Sequence, residues 1–310
     1  MPTTPISAAS RARGVLLGQA IGDNLGSVAE FSTPAQLTAR YPSGVRELAG
    51  GARYGWTVLA PGQPTDDTEL ALALARSLVR CGGYRESDVR ESYRRWADSG
   101  PFDMGNTCAQ ALTPPYQRSE SSQSNGSLMR VSPLAVACAP SEAGHFALVD
   151  ASLTHANPYP ARVNACYAAA LSDVVAGVEP ADALLRHAGD LRTEVETFMA
   201  APPADISGTN QGWVRHAFHL TCYYAANGAG FEEDLVAVVG MGGDADTNGA
   251  IVGAFLGGVH GEEGIPRRWR DAITNFNPAE TDRPDEYSVH DVIALADALL
   301  TLRKATPTAP

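Results

Sequence analysis

Residues 241–258 read MGGDADTNGAIVGAFLGG, and the organisation of the chain follows from what this stretch is. Asp244, Asp246, Asn248 and Gly249 are spaced like the opening of a calcium loop, with Ile251 where such loops carry an apolar residue. Such a loop ends in a bidentate Glu at its twelfth position, because Ca²⁺ needs six to eight oxygens. The twelfth residue from Asp244 is Phe255, which has no oxygen to give. The preceding VVGMGG holds three glycines in its last five residues and is a poor incoming helix. What remains is two carboxylates two residues apart, with the Thr247 hydroxyl beside the second, opening an apolar helix. In a loop or extended turn, residues i and i+2 can point to one side, so Asp244 and Asp246 can share a cation. The Gly253…Gly257 spacing resembles a membrane packing motif, but the apolar run is too short to span a bilayer. It marks a helix packed tightly inside a soluble core.

Half a coordination sphere needs its other half. Residues 64–78, PTDDTELALALARSL, open a helix at Pro64–Thr65 with acids in the first turn and an apolar face after Glu69. Thr, Asp and Glu there also serve as caps for orphan N–H groups and the positive helix end. Thr65, Asp66, Asp67 and Thr68 supply more oxygen than one cap needs. A DDxxD prenyl-diphosphate site fits poorly, because its last acid falls on Leu70. Asp66, Asp67, Asp244 and Asp246 together carry four negative charges, which two Mg²⁺ or Mn²⁺ ions would neutralise. Thr65 and Thr247 add hard oxygen ligands, and waters would complete octahedra. Without cations, such carboxylates repel one another and take up protons.

The rest of the chain reads as helix after helix. Segments 10–26, 67–80, 87–98, 162–176, 181–197, 212–227, 246–258 and 287–303 place apolar residues at three- and four-residue spacing. Pro- and Gly-rich clusters separate them. DLVAVVG, residues 234–240, is the one short strand candidate, and a buried helix is its alternative. No repeat or long linker divides the 310 residues, so one all-α domain spanning 1–310 is expected, with frayed ends at 1–8 and 304–310. A net charge of −12 argues against nucleic acid or an anionic membrane as partner. Five cysteines without a CxxC read as reduced core thiols of a cytoplasmic protein. The N-terminus lacks the apolar segment of a signal peptide, and no run approaches a membrane span. The pair His216 and His219 has nothing nearby to complete a zinc set and reads as packing.

Four stretches in one order identify a resemblance: GVLLGQAIGDNLGSVAEF (14–31), PTDDTELALALA (64–75), SNGSLMRVSPLAV (124–136) and GGDADTNGAIVGAFLGG (242–258). Together they resemble the ADP-ribosylglycohydrolase family, relatives of the dinitrogenase-reductase-activating glycohydrolase. The resemblance implies an all-α orthogonal helical bundle in one domain, with a binuclear Mg²⁺ or Mn²⁺ centre. It puts Thr65, Asp66 and Asp67 on one side of the metals and Asp244, Asp246 and Thr247 on the other. Glu30 matches an acid near the scissile bond; a solvated loop acid is its alternative. Asn125, Gly126 and Ser127 match a turn whose N–H groups cradle a diphosphate, His155 a position lining the ADP-ribose pocket, and Gly243 a substrate contact. GPFDMGNTC (100–108) resembles the arginine-specific branch, with Asp103 near the guanidinium; a helix cap is its alternative. Asp23 is expected to buttress the site. Asn24 and Ala245 depart from the Ala and Thr of the family pattern without removing a ligand. The implied activity is hydrolysis of the N-glycosidic bond between ADP-ribose and a protein arginine, by a monomer, with Asp67, Glu30 and Asp103 at the chemistry. Serine-linked ADP-ribose, O-acetyl-ADP-ribose or poly(ADP-ribose) is the alternative substrate class, and a non-catalytic ADP-ribose binder is the alternative of another kind.

Overall fold

Fifteen α-helices and one short hairpin make up the regular structure of residues 5–204 and 206–305, which the computed structural model describes. In chain order these are α1 (Ala8–Ser27), α2 (Pro34–Arg40), β1 (Arg53–Tyr54), β2 (Thr57–Val58), α3 (Asp66–Cys81), α4 (Glu86–Asp98), α5 (Asn106–Leu112), α6 (Ser132–Ala137) and α7 (Pro140–Ser152). There follow α8 (Pro158–Val175), α9 (Pro180–His187), α10 (Arg192–Ala200), α11 (Val214–Asn227), α12 (Phe231–Gly240), α13 (Ala245–Gly264), α14 (Arg267–Thr274) and α15 (Val292–Ala305). The all-α reading is correct; β1 and β2 form the only sheet among the described residues.

The helices α1 and α13 are the axis of the molecule. Both are buried over most of their length, α1 from Gly14 to Ser27 and α13 from Ala245 to Gly258. Gly14, Gly18 and Gly22 of α1 meet Gly257, Gly253 and Gly249 of the antiparallel α13, and Gly26 meets Ala245. A Cβ placed on Gly22 would stand 1.9 Å from the Gly249 carbonyl oxygen. Only hydrogen side chains allow two backbones this close. The pairing sets the end of α1, with Asp23 and the loop to Glu30, beside the start of α13, with Asp244 and Asp246.

Other elements depart from the sequence expectations for physical reasons. DLVAVVG is helical: Phe231, Leu235, Val238 and Val239 form one buried stripe. Asp234 accepts from the Ala229 and Gly230 amides at 3.0 and 3.1 Å. The stretch 181–197 is two helices, broken where Gly189 adopts φ +52°. The last helix begins at Val292 rather than 287, after a 3₁₀ turn over Asp285–Tyr287. Short helices α2, α5, α6, α7 and α14 were not expected; α2, α6 and α7 start on a Pro within their first two positions. Of the ends expected to fray, residues 1–4 and 306–310 lie outside the described residues; Ser7 caps α1 through the Ser10 amide, and α15 continues through Ala305. All five cysteines are free thiols. No helix among the described residues is long and apolar enough to cross a membrane.

Candidate functional site

The two acidic patches, far apart in sequence, line one cavity of about 470 Å³. Asp66 and Asp67 enter it from the first turn of α3, and Asp244, Asp246 and Thr247 from the start of α13. Glu30, from the loop after α1, and Asp103, from the loop before α5, complete the acidic wall. One oxygen each from Glu30, Asp244 and Asp246 lie within 4.8 Å of one another, close enough to hold a single ion.

Local bonds explain how each carboxylate is aimed. Thr65 precedes α3 without capping it through its own side chain. Asp23 of α1 does that work instead, accepting from the Thr65 and Thr68 amides at 3.0 and 3.1 Å. The Thr65 hydroxyl donates to Asp23 at 2.8 Å and reaches Asp67 Oδ2 at 3.1 Å. Asp66 Oδ2 accepts from the Gly105 amide at 3.2 Å. Asp246 accepts from the Tyr54 hydroxyl at 2.7 Å and from the Thr247 amide at 2.9 Å. Asn125 Nδ2 donates to Asp244 at 2.7 Å. Asn24, a departure from the family pattern, bonds the Gln63 carbonyl at 2.8 Å and so pins the loop entering α3.

The electrostatics fit a cation. No Lys, Arg or His lines the cavity. Asp67 Oδ1 is buried without a hydrogen-bond partner among the described residues, a cost that a ligand in the cavity would relieve. Burial first, and then like-charged neighbours, push Asp66, Asp67 and Asp246 far above the usual carboxylate range. Burial raises Glu30 to about 8, reinforced by Asp103 and Asp244 and opposed by hydrogen bonds to Tyr54 and Asp246. Asp23 rises to about 6 through burial, held down by its bonds to Thr65 and Thr68. Carboxylate and hydroxyl oxygens are the donor set that Mg²⁺ and Mn²⁺ prefer. The residues present fit such ions.

The substrate-side expectations divide. Asn125 and Gly126 line the cavity, whereas Ser127 is wholly buried behind them, its hydroxyl accepting from Asn164 at 3.2 Å. His155 stands one layer back, 1 % exposed, with its ring nitrogens 2.8 Å from the Ser124 and Thr154 hydroxyls. Ser124 and Gly126 stand between it and the cavity. Gly243 is also off the wall. At φ +66° it bonds the loop after Glu30, accepting from the Phe31 amide at 2.6 Å and donating to Ser32 at 3.0 Å. Asp103 faces the cavity, and the position before α5 is Gly105, so Asp103 is no cap.

Sequence reading missed Tyr54 of β1, Met104 and Gly105 of the loop before α5, and Gln211 and Gly212 of the loop before α11, which join the site. Tyr54 had one signal, the Gly51 and Gly55 that bracket ARY as a turn region. The others had none, since a loop residue's neighbours are set by tertiary packing.

The comparisons with known proteins agree with one another. The family model for ADP-ribosylglycohydrolase matches residues 4–308. The chain is 33% identical over 298 residues to the ADP-ribosyl-[dinitrogen reductase] glycohydrolase of Rhodospirillum rubrum, covering 92% of this chain and 96% of that one. It is 28% identical over 292 residues to the ADP-ribosylarginine hydrolase Tri1 of Pseudomonas putida (strain GB-1), covering 87% and 76%. A solved structure described as an ADP-ribosylglycohydrolase-related protein complex superposes with a TM-score of 0.75 at 30% identity, covering 96% and 99%. With the fold, the acidic cavity and these relatives in agreement, the chain belongs to the ADP-ribosylglycohydrolase family and is a hydrolase of that family.

Proposed function

We propose that this hydrolase releases ADP-ribose from arginine side chains of proteins, using two Mg²⁺ or Mn²⁺ ions. The observation that carries the reading is the convergence of both acidic patches, with Glu30 and Asp103, on one cavity. Its similarity to a relative named as an ADP-ribosylarginine hydrolase supports the arginine linkage. Thr65, Asp66 and Asp67 would hold the ions from α3, and Asp244, Asp246 and Thr247 from α13. Such ions would supply a hold on ribose hydroxyls and a lowered pKa for a nearby water.

This chain's own groups do the rest. Asn125 and Gly126 line the cavity beside Asp244, and no hydrogen bond pairs the Gly126 amide with a described residue. A free amide in such a turn suits a diphosphate oxygen. Ser127 and His155 then hold that turn from behind. Fixing the anomeric carbon near Glu30 is a positioning effect, and positioning supplies several kcal/mol of barrier reduction. Glu30 and Asp103 flank the leaving side and suit a guanidinium that gains a proton. In the reaction the C–N glycosidic bond breaks and a C–O bond to water forms. One water proton stays on the new hydroxyl and the other ends on the leaving guanidine. The positive charge that develops at the anomeric carbon gains from the carboxylate surroundings.

The test is incubation with Mg²⁺ or Mn²⁺ and a peptide ADP-ribosylated on arginine, beside a serine-linked peptide and O-acetyl-ADP-ribose. Release of ADP-ribose from the arginine peptide, abolished by Asp246→Ala, is the expected outcome. Cleavage of the serine-linked peptide alone would refute the linkage, and no cleavage of any substrate would refute the function.

A further inference from the structure

The loop that carries Glu30 has a second side. Beyond it lies an open groove of about 670 Å³, whose wall includes Glu30, Phe31 and Asp103, the same residues that close the first cavity. We infer that this groove and the hairpin tip above it seat the polypeptide that carries the ADP-ribosyl group, with Trp56 and Phe31 as its aromatic anchors. The inference rests on the arginine-hydrolase reading and adds a docking surface to it.

Continuity is the first argument. A side chain leaving the anomeric carbon between Glu30 and Asp103 departs into the groove they share, and their two carboxylates suit its cationic guanidinium.

Exposure is the second. Trp96 and Trp269 are buried in the core, but Trp56 is completely exposed and Phe31 is 67% exposed. Neither exposed ring supports the core, and exposed aromatics beside a site are the usual anchors of protein recognition.

Rigidity is the third. Trp56 sits in a two-residue turn between β1 and β2, where Gly55 takes φ +58°. One residue before that turn, the Tyr54 hydroxyl bonds Asp246 and its ring lies 5.5 Å from Phe102. The tip is therefore tied to the catalytic cavity itself. Phe31 takes φ +57°, unusual for a bulky residue, and is kept there by the Gly243 bonds described above. Backbone strain of this kind, held by its surroundings, clusters at ligand clamps.

The test uses the full chain and two probes: an oligopeptide mono-ADP-ribosylated on a central arginine, and ADP-ribosyl-agmatine, which has the guanidinium without the polypeptide. The ratio of kcat/KM for peptide to kcat/KM for agmatine conjugate is the readout. Trp56→Ala is expected to lower that ratio roughly tenfold, the effect of losing one packed aromatic anchor, and Trp56→Phe to restore most of it. An unchanged ratio overturns the inference. So does a concentration-dependent dimer, seen by sedimentation, that Trp56→Ala dissolves, because the tip would then be a contact between copies. If the wild type turns over neither probe, the arginine-hydrolase reading fails. The same two probes then give stable complexes, and the ratio of their Kd values by calorimetry answers the docking question separately.

Discussion

Replacing Gly22 by Ala adds one methyl group to the most crowded line in the molecule. Its Cβ would stand 1.9 Å from the Gly249 oxygen, 2.3 Å from the Gly249 carbonyl carbon and 2.9 Å from the Ala250 nitrogen, all of them backbone atoms. Ordinary contact begins at 3.4 Å, so α1 and α13 must separate locally by about 1.5 Å, the difference between these distances, consistent with the tight packing of interiors. Overpacking of this kind costs about 1–3 kcal/mol, occasionally more. Against it stands the better helix propensity of Ala, worth up to about 1 kcal/mol. The net expectation is a loss of up to about 2 kcal/mol, or roughly 3 °C in Tm for a chain of this size. Because Asp23 follows Gly22 and Asp246 lies three residues before Gly249, the same displacement pulls the two halves of the site apart. Melting is followed by circular dichroism with and without MnCl₂, and the variant should lose part of its Mn²⁺-induced rise in Tm as well. Gly240→Ala is the control, since nothing lies within 4 Å of its Cβ position. It should melt at or slightly above the wild type. A Gly22→Ala protein that melts within a degree of wild type and keeps its full response to Mn²⁺ would refute the close approach of the two helices.

Two further outcomes follow from buried charges. Arg283 grips Glu69 through two bonds of 2.8 and 2.7 Å, and Trp96 Nε1 donates to the same carboxylate at 2.7 Å. Glu69 is almost wholly buried on α3, so Arg283→Met leaves a buried carboxylate with one partner and should cost about 3–5 kcal/mol. Chemical denaturation measures it, and a loss below about 1 kcal/mol, the worth of a surface pair, would show that the pair is solvated. His155 is pushed from 6.5 down to about 3 by burial, aided by the Arg130 charge. Below pH 6.5 the unfolded chain binds a proton at this ring that the folded chain refuses. Stability therefore falls as pH drops from there towards 3, by roughly 1.4 kcal/mol per pH unit from this group. His155→Asn should flatten the stability profile between pH 6 and 4 by about one proton; equal slopes in the two proteins would contradict the burial of the ring.

The sequence was most legible where chemistry needs fixed residue types. Asp66 and Asp67 beside Asp244 and Asp246 have no structural need for so much negative charge, and that excess pointed to a common site. The helices with long apolar stripes, such as α3 and α4, were legible from spacing alone. The role of the glycines was half legible. Gly253 and Gly257 announced a tightly packed helix, but the matching stripe Gly14–Gly18–Gly22–Gly26 was not recognised as its partner, because a sequence does not say which helix faces which. DLVAVVG was ambiguous because its run of β-branched residues suits a strand and a buried helix alike, and only its acidic first turn favours the latter. The motif aligned His155 with the pocket without saying that Ser124 stands in front of it. The glycines around Tyr54 mark a turn, but nothing local ties a hairpin tyrosine to an aspartate 192 residues further on.

The central claim is that two patches distant in sequence grip the same ions. Crystals grown with MnCl₂ and measured at the manganese edge decide it. The account predicts two anomalous peaks in the cavity, together bridging the Asp66–Asp67 oxygens and the Asp244–Asp246 oxygens. Manganese held by one patch alone, or no manganese in the cavity at saturating concentration, would contradict it.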